Sequence, residues 1–198
     1  WEETMNAQKC IPTLLLFAAT AALGGEGTTV TVDCAKGDTL AKALGSSGQK
    51  PLLLLIRGSC SESVLIDRDD VTLRPDAGFA ALISGPDAAA DTLTVTGARV
   101  ALEGIEITGG RNGVNALGAS GLTVRNAEVR AAGRTGIFLS GSSATIDGAA
   151  VLSSGRDGVA VDGGQATIVN STISGSVRNG IVVAAGGGAR IGVTALNE

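Results

Sequence analysis

A chain of 198 residues with 44% hydrophobic and 17% charged residues has enough apolar material for one packed domain, which excludes a disordered chain. The net charge of −4 argues against a protein that binds polyanions over its whole surface, and 2% aromatics argues against recognition by ring stacking. The absence of His removes the commonest neutral-pH acid–base residue and metal ligand.

In chain order, residues 1–24 read as upstream residues followed by a secretory signal peptide. Met5 is the expected start, Lys9 the positive flank and 11–23 the apolar stretch, with small-x-small cleavage sites at 19–21 and 22–24. That stretch is short for a membrane span. The alternatives are an uncleaved anchor and a buried N-terminal helix. Residues 25–198 form the expected domain. Export would remove Cys10 and leave Cys34 and Cys60, an even count for an oxidising compartment. If their strands adjoin in the first coil, a Cys34–Cys60 disulfide staples that end; two free thiols are the alternative. Residues 38–44 (DTLAKAL) read as a short helix with Asp38 as its N-cap and Leu40, Ala43 and Leu44 on one face, suited to covering the end of a stack.

Short strands are expected at 52–56, 64–66, 71–73, 81–83 and 93–95, with Asp69 and Asp70 as solvated turn residues. From Val100 the chain repeats. Gly136, Gly158 and Gly180 recur at 22-residue intervals, each after an Arg (Arg134, Arg156, Arg178), with a looser copy at Arg111 and Gly113. Val124, Val129, Ile137 and Leu139 return as Ile146, Val151, Val159 and Val161, then as Ile168, Ile173, Ile181 and Val183. Apolar residues alternate within each unit, the period of a strand and not of a helix. Such a unit buries its apolar face only by stacking, with like positions about 4.8 Å apart. The expectation is an all-β, single-stranded parallel β-helix of roughly five coils, solenoid from 51 onward, capped at its N-terminus and possessing no C-terminal cap, hence a truncated stack or one closed by a partner.

These motifs resemble the right-handed parallel β-helix repeat family of the pectin-lyase-like superfamily. The resemblance rests on GDTLAKAL, on RGSCSESVLIDRDDVTLRPD, on ALEGIEITGG, and on the recurring G-[IV]-x-[LV] with an upstream N-x-x-[IV]. It implies a fold and no single activity, because that superfamily spans lyases, hydrolases, epimerases, tailspikes and adhesins.

The column Arg111, Arg134, Arg156 and Arg178 is the distinctive surface feature. Stacked guanidinium groups repel by about 1 kcal/mol each in water, and Asp157 is placed to offset part of that. The column reads either as a ladder for carboxylates or sulfates, which Arg binds bidentately, or as a solvated turn face whose stems cover the coil edge. Calcium is implied by the resemblance only. Asp147, Asp157 and Asp162 share one coil but sit in different turns, and no column is expected to hold two acids, so no metal site and no cofactor are expected. The Thr column Thr123, Thr145, Thr167 reads as a plain outward strand face, and Asn126 and Asn170 as turn residues bonding local backbone.

The reading is an exported scaffold or glycan-contacting module without a recognisable catalytic set, secreted, periplasmic or on the cell surface. Its expected partner is an acidic polysaccharide. Nucleic acid is not expected, nor a membrane after signal cleavage. The alternative is a polysaccharide-active enzyme (a uronate lyase, an epimerase or a glycoside hydrolase) or a fragment of one.

Overall fold

The computed structural model describes residues 27–46, 48 and 51–197. The signal-peptide reading, Met5, Lys9 and Cys10 included, lies outside the described residues.

Alternating apolar residues put one side of each strand inward, and every strand pairs in parallel with its equivalent on the next coil. The first face carries eight strands, from Thr28–Asp33 and Leu52–Ser61 through Val71–Pro75, Val100–Glu103, Leu122–Arg125, Ser143–Asp147 and Gln165–Val169 to Gly188–Ile191. Leu52–Ser61 turns the corner and also begins the second face, so the two faces form one 14-stranded sheet. The third face is a separate six-stranded sheet, from Val64–Ile66 and Leu93–Val95 through Val114–Leu117, Ile137–Ser140 and Asp157–Asp162 to Asn179–Ala184.

The core is a set of vertical columns. Leu54, Leu73, Leu102, Val124, Ile146 and Ile168 stack on the first face. Cys60, Ile83, Ile107, Val129, Val151 and Ile173 stack on the second, and Leu93, Val114, Ile137 and Val159 on the third. All are buried. On the last coil the first two columns open to solvent at Ile191 and Leu196.

The stack has about eight coils, not roughly five. The regular repeat holds from Val100, where Leu122 pairs with Ala144 and Ala144 with Ala166. Upstream, Leu52 pairs with Val71 and Val71 with Val100, so the loops differ in length and hide the period. The first coil begins at Thr28, which pairs with Leu52, and not at Pro51.

The N-terminal end is closed by α1 (Leu40–Ser46), which buries Leu40, Ala43 and Leu44. Its cap differs from the expected Asp38. Thr39 Oγ1 accepts the Lys42 N–H at 3.3 Å, and the Glu62 carboxylate accepts the N–H groups of Leu40 at 2.7 Å and Ala41 at 3.1 Å. Asp38 instead accepts the Asp33 N–H. An anion from the next coil fits there because the first N–H groups of a helix have no partner within it. Beside Glu62, Cys34 and Cys60 form a disulfide with Cα atoms 5.1 Å apart. Among the described residues, no helix is long and apolar enough to cross a membrane.

Three further expectations are corrected. Glu106 pairs in register with Glu128, so one column does hold two acids; Arg130 bridges them, contacting Glu106 and lying 3.2 Å from Glu128. Asp69 and Asp70 are not merely solvated: Arg99 grips Asp70 with two hydrogen bonds of 2.5 and 2.8 Å and lies 3.6 Å from Asp69. Asn126 and Asn170 do sit in left-handed turns, but the Asn170 amide donates to the Asp147 carboxylate at 2.9 Å and not to local backbone. In each case the partner lies one coil away, at a distance that adjacent strands impose.

Candidate functional site

Each repeat delivers its Arg, then a polar residue, then Gly, as the chain turns into the third face. The glycines permit this turn to pack. A Cβ on Gly136 would collide with Val151 and with the Gly158 carbonyl, and one on Gly158 would collide with Ile173 and the Gly180 carbonyl. Strand alternation then sends the polar residue inward and the Arg outward. The inward slots are Asp91, Asn112, Thr135 and Asp157, all buried.

The Arg column is in register. The N–H of Arg134 donates to the carbonyl of Arg111 at 2.6 Å, Arg156 to Arg134 at 2.7 Å and Arg178 to Arg156 at 2.7 Å. All four side chains, with Asp157, line one groove of about 440 Å³. Its floor is the outward column Asn115, Phe138, Ala160 and Val182 of the third face, and Asp162 and Ala184 stand on its far edge. The five residues singled out from the sequence therefore come together.

Their charges are not equivalent. Arg111 is bound through Nε and Nη2 to the two Asp91 oxygens, both at 3.0 Å. Arg156 Nε lies 3.2 Å from Asp157 Oδ2, at an angle that makes an ion pair and not a hydrogen bond. Asp157 also accepts the Asn179 amide at 2.7 Å. Arg134 and Arg178 are exposed and have no carboxylate partner among the described residues.

Asp91 was not legible as a site residue. It occupies the polar slot one coil ahead of Asn112, but Thr92 stands where later coils have Gly, and this breaks the motif. It is buried and accepts five donors: two from Arg111, the N–H and side-chain amide of Asn112, and the Asn115 amide at 2.6 Å. Burial pushes the Asp91 carboxyl up, but Arg111, Asn115 and the Asn112 N–H outweigh it and hold it below its ordinary value. The same pair raises Arg111. Asp70, hydrogen-bonded by Arg99, and Asp76, hydrogen-bonded by Arg57, are lowered as well.

A depressed carboxyl contributes stability that is complete above its unfolded-state value and is lost as pH falls through its folded-state value. The melting temperature is therefore expected to be level down to about pH 5 and to fall below about pH 4. Thermal melts across that range check this; an unchanged midpoint at about pH 3 would show that these carboxylates do not couple to folding.

Calcium does not fit the groove. It takes six or more oxygens, whereas Asp91 is saturated by five donors, Asp157 is held by Arg156 and Asn179, and Asp162 stands alone on the far edge. The cluster of potential ligands among the described residues, Cys34, Cys60 and Glu62, is occupied by the disulfide and the helix cap.

A parallel β-helix with an arginine-walled groove along one face is the class of protein that these observations define. Residues 56–195 match the family model described as a right-handed β-helix region, and the chain belongs to that family. No curated protein matches the chain. Among solved structures, the alginate lyase from Paenibacillus sp. str. FPU-7 is similar, at 16% identity and a TM-score of 0.53, over 84% of this chain and 75% of that one. At that identity the likeness concerns the fold.

Proposed function

We propose that this protein is an exported, non-catalytic β-helix module whose groove contacts an acidic polysaccharide. The observation that carries this reading is the pair of exposed guanidinium groups, Arg134 and Arg178, in a groove where the other two arginines are already neutralised. An unpaired guanidinium binds a carboxylate or sulfate through bidentate, charge-assisted hydrogen bonds. The Cys34–Cys60 disulfide supports an oxidising destination outside the cytoplasm.

Replacing both Arg134 and Arg178 with alanine is expected to weaken binding to alginate and heparin about tenfold. Retention on columns of each, read as the salt concentration at elution, checks this. Unchanged retention would leave the arginines as a solvated turn face.

A uronate lyase is the second reading, favoured by the fold shared with an alginate lyase. It requires turnover. Ultraviolet absorbance of the unsaturated uronate product on alginate and pectate, with and without calcium, separates it from the binding module.

A further inference from the structure

The charge of the groove alternates from coil to coil. At the first of the four coils that wall the groove, Arg111 is matched by Asp91. At the second, Arg134 has no carboxylate partner among the described residues, and Ser140 holds the position that Asp162 takes one coil on. At the third, Arg156 is matched by Asp157, and Asp162 adds an unmatched carboxylate on the opposite edge. At the fourth, Arg178 lies beside Asn179 and across from Ala184, and is again a full positive charge. The Asp162 carboxylate has no hydrogen bond or ion pair to another described residue, and only its backbone is held in the sheet. The two free guanidinium groups are therefore two coils apart, about 10 Å along the groove, with a negative group between them.

An extended polysaccharide advances roughly 5 Å per sugar, close to one strand spacing. A ligand lying along the groove meets a cation, then an anion, then a cation, at successive sugars. We infer that the groove takes an acidic polysaccharide bearing its anionic groups on every second sugar, with hydroxyl or amide N–H donors on the sugar between. This rests on the groove being an acidic-glycan site and adds the spacing of the charge. A polymer charged on every sugar brings one carboxylate against Asp162, where two like charges repel. A polymer charged on alternate sugars avoids this and offers Asp162 a hydrogen-bond donor, which a carboxylate accepts strongly.

The experiment is calorimetric titration, at one fixed ionic strength, with two sets of oligosaccharides of equal length. Hyaluronan carries carboxylates on alternate sugars and polygalacturonate on every sugar. Hyaluronan is expected to bind at least about fivefold more tightly despite its lower charge density. Asp162→Asn is expected to raise the affinity for polygalacturonate about fivefold while changing that for hyaluronan by less than about twofold. Arg134→Ala is expected to weaken hyaluronan binding. Asp162 and Arg134 are not buried, so both variants should fold, and circular dichroism checks that they do. Equal or tighter binding of polygalacturonate, unaffected by Asp162→Asn, would overturn the alternating-charge inference and leave the glycan groove standing. Hyaluronan binding that Arg134→Ala does not alter would overturn the inference by placing the ligand elsewhere. Binding of neither polymer would overturn the groove reading itself, and the inference with it.

Discussion

Gly136→Ala is expected to destabilise the chain by about 3 kcal/mol, the upper range for overpacking a tight site. The cause is space and not backbone conformation: Gly136 is absent from the positive-φ glycines. Its added methyl group would strike a Val151 methyl, the Gly158 carbonyl oxygen and the Ser154 hydroxyl, in a stack that cannot spread without breaking strand pairing on both sides. Gly180→Ala is the internal control. It occupies the same column, yet a Cβ there meets nothing nearer than Leu196 at 3.7 Å and Ile173 at 3.8 Å, ordinary contact distances. That variant should be neutral, or stabilised by about 0.5 kcal/mol through the stiffer unfolded chain. Denaturant midpoints of the two variants test the comparison. Equal losses would mean that the coils relax freely around the added carbon and that the column is not close-packed.

The second large effect is expected at Asp91. Asp91→Ala removes the acceptor for five donors and should cost about 3 kcal/mol. Arg111 is half-exposed and can turn to water, so the loss comes mainly from Asn112 and Asn115, which are buried and would keep unpaired amide groups. Asp91→Asn retains the shape but supplies one acceptor oxygen, and should fall between the two. Chemical denaturation of the three chains measures this. A loss under about 1 kcal/mol for Asp91→Ala would show that the corner is held by stacking alone. Either outcome bears on the groove, because freeing Arg111 places a third unmatched cation in it.

The repeat made most of this architecture readable in advance. Thr123, Thr145 and Thr167 fall in one register because their coils are of equal length, and the same regularity aligned Arg134, Arg156 and Arg178. Periodicity failed where the loops vary. Before Val100 the coils differ in length and carry no fixed period, and Thr92 in the glycine position hides Asp91 from the motif. The helix cap is hidden for a related reason. Asp38 is a sound local candidate, but Glu62 reaches the helix from the following coil, a partner that no local rule can find.

The coil, its 22-residue period and the inward columns are legible in the sequence, because each depends on residue type repeating at fixed intervals. The full pairing of the charges follows from contacts between coils, which periodicity does not encode. Stacking brings groups twenty or more residues apart within hydrogen-bond reach, so Asp91 takes Arg111 from the next coil and Asp157 takes the Asn179 amide. Arg134 and Arg178 carry the same motif as their neighbours, and the pairs Arg111–Asp91 and Arg156–Asp157 leave them as the cations of the groove without a carboxylate partner among the described residues.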